Sequence, residues 1–172
     1  DLTFMLYIFF QSLTSNLASL ELRDSYPPEE QRTQMRITSF SDLSFRVLLF
    51  AAAHPDRLVT IDEMYAFYDV SRGHLMKVVS GLTRSGFLAS TRGRAGGVRL
   101  ARKPKDINLA AVLRATEPDF HLVECMRPDN RCAITPGCRL KGPMFQAMAA
   151  FLETIGSYTL ADIQLDQSAF TL

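Results

Sequence analysis

The stretch that decides the fold is Thr60-Ile61-Asp62-Glu63-Met64-Tyr65-Ala66-Phe67-Tyr68-Asp69-Val70-Ser71-Arg72-Gly73-His74-Leu75-Met76-Lys77-Val78-Val79-Ser80-Gly81-Leu82. Thr60 followed three residues later by Glu63 is a capping box, in which hydroxyl and carboxylate satisfy the first free amides of a helix. That helix carries Ile61, Met64, Tyr65 and Tyr68 on one face, and Asp69-Val70 interrupts it. Ser71 then caps a second helix with Leu75, Val78, Val79 and Leu82 at helical spacing, and Arg72, His74, Lys77 and Arg84 on the other face. Two capped helices with a short break, the second one basic, predict a helix-turn-helix whose second helix enters the major groove of DNA by its N-terminus.

Outward from this core the pattern continues. Gly86 ends the basic helix, and the short runs 88–91 and 98–100 flank Arg92-Gly93-Arg94-Ala95-Gly96-Gly97, a hairpin with arginines at its tip. Such a wing lies on phosphates or reaches into a narrow minor groove. Upstream, Ser41 is read as the cap of a helix bearing Leu43, Val47, Phe50 and Ala51, which stops near His54-Pro55. Downstream, Asn108 caps a helix with Leu109, Val112, Leu113 and Thr116 that Pro118 stops. After Cys138 a longer helix presents Leu140, Met144, Met148, Phe151 and Ile155, with Gly156 as its cap. The expected fold is mainly α with a small β-hairpin: a winged helix-turn-helix DNA-binding domain plus a long dimerisation helix.

Charge supports a polyanion partner. Residues 71–105 hold nine Lys and Arg and no Asp or Glu, so the net charge of +1 conceals a basic block on an otherwise acidic chain. The DNA-contact candidates are therefore Ser71, Arg72, Gly73, His74, Lys77, Arg92, Arg94 and Arg99. Apolar residues make 47% of the 172, enough for one compact domain. Enzyme chemistry is not indicated, because His54, His74 and His121 have no nucleophile or paired carboxylate around them.

The three cysteines, Cys125, Cys132 and Cys138, follow a C-x6-C-x5-C spacing in a loop rich in Pro, Gly and Asn. An odd count confined to one loop argues for a reducing, cytoplasmic setting. Zinc sites ordinarily use closer pairs and four protein ligands, so three widely spaced thiolates suit an iron-sulfur cluster of 4Fe-4S or 2Fe-2S type, with a fourth ligand of another kind. A metal-free thiol switch and an iron-sulfur electron carrier are the alternatives. At the N-terminus, the apolar run 2–10 is shorter than the ~17 to 25 residues a membrane span needs. With the polar linker 27–34 behind it, residues 1–34 are read as an extension upstream of a natural start at Met35. The domain reading is 35–118 for DNA binding, 119–138 for the cluster loop and 139–172 for the dimerisation helix and tail.

Four pieces in order, 35–42 (MRITSFSD), 96–100 (GGVRL), 132–141 (CAITPGCRLK) and 158–163 (YTLADI), give residues 35–165 a likeness to one family. The chain resembles the NsrR family, the nitric-oxide-sensing repressors among the Rrf-type bacterial winged-helix regulators. The resemblance implies a cytoplasmic homodimer that holds an iron-sulfur cluster and binds palindromic double-stranded operator DNA, releasing it when nitric oxide attacks the cluster. It further implies that Cys125, Cys132 and Cys138 are cluster ligands and that Asp42 of the partner subunit is the fourth. Arg46, one turn after Asp42, is placed to pair with that carboxylate when it is not bound to iron. A cluster-type regulator responding to iron or redox state is the alternative, though Lys141 stands where regulators of the IscR kind have a ligating His.

Overall fold

Thr38 opens the first helix, three residues ahead of the expected cap. The computed structural model describes residues 36–93 and 95–171, so the reading of the extension 1–34 and of Met35, and the side chain of Arg94, lie outside the described residues. Helix α1, Ser39–Ala52, begins where the Thr38 hydroxyl accepts the Ser41 amide at 3.2 Å. Ser41 is fully buried and its own hydroxyl donates to Thr116 Oγ1 at 2.8 Å, so tertiary packing takes the group that a local reading assigns to capping. The inward face of α1 is Leu43, Val47, Leu48, Phe50, Ala51 and Ala52.

Helix α2, Ile61–Tyr68, has the full capping box, with Glu63 N to Thr60 Oγ1 at 3.2 Å and Thr60 N to Glu63 Oε2 at 2.7 Å. Burial raises the Glu63 carboxyl, but the hydrogen bonds from Thr60 and the nearby Arg57 outweigh it and hold the group below its usual range. Asp69 turns the chain at φ 51, and Ser71 accepts the His74 amide to start α3, Arg72–Arg84, which buries Leu75, Val78 and Leu82. Gly86, at φ 72, ends the turn after α3 in a conformation that suits a residue without Cβ.

Strands β1, Leu88–Thr91, and β2, Gly97–Leu100, form the expected antiparallel hairpin. Val59 bonds to Val98 in both directions, at 2.9 and 2.8 Å, and fixes the wing to the residue just before the helix-turn-helix. A Cβ on Gly97 would lie 2.7 Å from Val59 O, so only glycine permits that approach. Helix α4, Leu109–Thr116, is capped by Asn108 as read, and α5, Lys141–Gly156, follows the cysteine segment without a single buried residue.

The chain beyond α5 comes back. Leu160 is fully buried, its amide donates to Ile107 O at 2.8 Å, and Leu109 N donates to Tyr158 O at 3.0 Å. Asn108 Nδ2 reaches Gly156 O at 2.6 Å, Gln164 Nε2 donates to Ala52 O at 3.1 Å, and the Phe170 ring stands edge-on to Phe50. Gly156 is the last helical residue and Ser157 the cap, so the glycine does not serve as the cap that the sequence suggests. From Ile37 onward the described residues make one compact unit, and none of the described helices is long and apolar enough to cross a membrane. Because Leu160 is fully buried beside Ile107 and its turn packs on α1, Leu160→Ala is expected to cost ~2 to 5 kcal/mol in urea denaturation, a loss that a tail lying on the surface would not produce.

Candidate nucleic-acid interface and cysteine segment

The N-terminal turn of α3 is the most accessible part of the helix-turn-helix. Ser71, Arg72, Gly73 and Lys77 are exposed and His74 is half-buried. Nothing lies within 4 Å of where a Gly73 Cβ would be, so the approach to this turn is open. Its first turn carries no acid, and the free amides of a helix start favour an anion in front of it. The Arg72 guanidinium is held in the free protein by Asp62 and lies 4.8 Å from the centre of the Tyr65 ring. Both partners of the Arg72–Asp62 pair are more than half exposed, so the pair is weak and readily exchanged. Asp62 and Tyr65 are the residues that the charge pattern did not single out: the acid-free run starts at residue 71, but the preceding helix folds its own acid against it.

On the wing, Arg92 and Arg99 are exposed, while Val98 of β2 is buried. Gly93 has φ 112 and gives the hairpin tip its reversal. Arg102 sits 5.5 Å over the Phe87 ring at the base of the wing.

The cysteine segment is held mainly by turns. Cys125 is buried in the 3-10 turn Glu124–Met126, which packs on α5, while Cys132 and Cys138 are half-buried. Glu124 Oε1 accepts Arg131 N at 2.9 Å, Thr135 Oγ1 donates to Asn130 Oδ1 at 2.9 Å, and successive turn bonds run from Thr135 N to Cys132 O and from Cys138 N to Thr135 O. All three thiols are free. Among the described residues no three His, Cys, Asp or Glu side chains converge on one point, so the single chain presents the donors without gathering them. In chemistry the donors fit an iron-sulfur cluster, being three soft, unpaired sulfurs on a backbone held by few bonds.

Asp42 lies in the first turn of α1, half-exposed, and Arg46 pairs with it at 2.8 Å, one turn along, as the spacing predicts. The next turn of α1 is tied to α2, because Tyr68 Oη donates to Arg46 O at 2.9 Å. Burial pushes the Tyr68 phenol up to about 12, against the opposing pull of Arg46, so it remains a donor at any ordinary pH.

A helix-turn-helix with an attached hairpin and an open, cationic leading turn is the build of a winged-helix transcriptional regulator. Residues 37–166 match the Rrf2 family, described as iron-dependent transcriptional regulators, and the chain belongs to that family. The HTH-type transcriptional regulator NsrR of Bacillus licheniformis is 42% identical over 135 residues, which span 77% of this chain and 94% of that protein. NsrR of Bacillus subtilis is 43% identical over 131 residues, spanning 75% and 90%. Among solved structures, the global cysteine regulator CymR of B. subtilis superposes with a TM-score of 0.61 at 21% identity, covering 79% of this chain and 98% of that one. IscR of T. potens gives 0.59 at 22%, covering 75% and 85%. At such identities these two speak for the fold alone.

Burial ranks the thiols. With cluster-free protein in oxygen-free buffer, iodoacetamide is expected to label Cys132 and Cys138 before Cys125, which is 7% exposed, and peptide mass spectrometry reads the order.

Proposed function

We propose that this chain is a cytoplasmic, homodimeric repressor that binds palindromic double-stranded operator DNA while an iron-sulfur cluster is in place and releases it on exposure to nitric oxide. The observation that carries the reading is that the segment with three free cysteines joins the winged-helix core to α5, the one described α-helix without a buried residue. The names of the Bacillus relatives support it at the level of the whole chain. Leu140, Phe145 and Phe151 are exposed on and just before α5, the apolar surface through which two copies pair in this reading.

In this reading Cys125, Cys132 and Cys138 hold the cluster and the partner subunit's Asp42 completes its ligand set. The bound cluster supplies the reaction with nitric oxide; all else is done by the protein. In the free protein Arg46 neutralises Asp42, so the carboxylate has an alternative partner when it is not a ligand. One turn beyond Asp42, α1 is bonded to the end of α2 through Tyr68–Arg46, and α2 leads within three residues into α3. Arg72 and His74 face base edges, Lys77, Arg92 and Arg94 meet phosphates or the minor groove, and Ser71, Gly73 and Arg99 belong to the same DNA-contact surface. Each good side chain to base pairing is worth ~1 to 3 kcal/mol, so a shift of α3 that spoils one or two is sufficient to release the operator.

An anaerobic gel-shift titration on operator fragments recovered by selection tests this. Nitric oxide is expected to weaken binding by about 5- to 150-fold, the range of ordinary allosteric couplings, and the triple substitution C125A/C132A/C138A to bind as weakly as the treated protein. A colourless protein that still represses, or a triple variant that binds like the parent, would falsify the cluster reading and leave a metal-free thiol switch.

Within the interface, Lys77→Ala is expected to weaken binding alike on all sequences and to lower the slope of log affinity against log salt by ~1, whereas Arg72→Ala should relax preference at one base position. Equal effects of both on every sequence would remove the assignment of Arg72 to a base edge.

A further inference from the structure

Two helical turns of this fold start with a capping box drawn from adjacent residues. At α2, Thr60 N and Oγ1 donate to Glu63 at 2.7 and 2.9 Å while the Thr60 hydroxyl accepts Glu63 N. At the 3-10 turn Leu160–Ile163, Thr159 N and Oγ1 donate to Asp162, both at 2.7 Å. Helix α1 has the same pattern of bonds with one difference. Thr38 N and Oγ1 donate to a single carboxylate oxygen at 2.8 and 3.2 Å and the Thr38 hydroxyl accepts Ser41 N, but the carboxylate is Glu117, seventy-nine residues away. The position three residues after the cap, which supplies the acid in a local box, is Ser41, whose Oγ is a second acceptor for Thr38 Oγ1 at 3.3 Å and itself donates to Thr116, while the Thr38 amide is bonded to Glu117.

We propose that this split capping box makes Glu117 a positioning residue that couples the cysteine segment to the DNA-reading unit within one chain. A local box stabilises its helix whatever the rest of the protein does. A split box holds the start of α1 only while the end of α4 stays in place, and Glu117 is the last residue before Pro118 and the segment that carries the cysteines. The fastening is doubled at Ser41–Thr116, where Thr116 also donates to Val112 O at 2.9 Å, so the last two residues ahead of the segment both grip the first turn of α1. Asp42 belongs to that turn, its amide donating to Thr38 O at 3.0 Å. A pull on the chain at residue 118 is therefore delivered to Thr38 and Asp42 without passing through the partner subunit. The signal this coupling carries rests on the iron-sulfur reading; the fastening rests on the hydrogen bonds alone.

Both bonds to Thr38 use one oxygen of Glu117, which the amide oxygen of glutamine can replace, so Glu117→Gln is expected to behave as wild type and Glu117→Ala to lose the box. Two readouts on the full chain decide. In cluster-free protein, Glu117→Ala should speed amide exchange at residues 41 and 42 by ~5-fold, the effect of a lost cap, with Glu117→Gln restoring protection. In cluster-loaded protein under anaerobic conditions, Glu117→Ala should shrink the ratio of operator affinities before and after nitric oxide by at least ~5-fold while the visible absorption of the cluster is unchanged. Unaltered exchange in Glu117→Ala overturns the fastening. Faster exchange with an unaltered nitric oxide ratio overturns the coupling and reduces Glu117 to a cap. Should the wild-type protein prove colourless and indifferent to nitric oxide, the iron-sulfur reading fails, and the exchange measurement still upholds or overturns the grip of Glu117 on α1.

Discussion

Helix α1 cannot shift without shifting the surface that meets DNA. Val47 and Leu48 have no exposed area, and the helix packs against α3, α4 and β2 at once, so the recognition helix, the wing and the route to the cysteines share one close-packed neighbour. Interiors at this density do not deform gradually; a neighbour that loses its support repacks as a body. The start of α1, with Thr38, Ser41 and Asp42, is where force can be applied to that body, since apart from Phe40, which packs against α3 at Gly81, it is held by hydroxyls and carboxylates.

Strength is distributed accordingly. Burial of Leu75, Val78, Leu82, Val98, Ile107 and Leu160 supplies most of the stability, each side chain contributing ~1.5 to 3 kcal/mol on transfer from water. The ion pairs at the surface, Arg72 with Asp62 and Asp42 with Arg46, lie in water and hold little. That division suits a protein that must exchange partners. Arg72 can leave Asp62 for a nucleic-acid contact, and Asp42 can leave Arg46 for another ligand, with little disturbance of the core.

Much of this was legible in the chain. The capping box at Thr60, the Ser71 cap, the break at Asp69, the wing glycines and the Asn108 cap are local chemistry, and local chemistry survives folding when nothing distant competes for the same atoms. Ser41 shows the opposite case. Its hydroxyl has a partner 75 residues away, and the cap passed to Thr38. The return of Leu160 to the core was equally hidden, because an apolar residue in a 3-10 turn carries no periodic signal. In the site, the basic face was visible as an acid-free run, whereas Asp62 and Tyr65 became part of it only through the angle between α2 and α3. The cysteines were legible as donors, but their convergence was not, and the single chain leaves them apart.

Asn108 serves two helices: Oδ1 caps α4 through Ala111 N at 3.1 Å, and Nδ2 holds the last carbonyl of α5 at Gly156. A residue that satisfies one helix start and one helix end fixes the angle between them, because neither bond can be kept if the helices pivot. The α5 end is thus bound to the α4 start, and the α4 end, through Glu117 and Thr116, to the α1 start. Between these two rigid joints lie the residues 119–138, held by turn bonds and a few side-chain bonds within the segment, so a change there has two stiff outlets, one toward α5 and one toward the helix on which the DNA-reading unit is built.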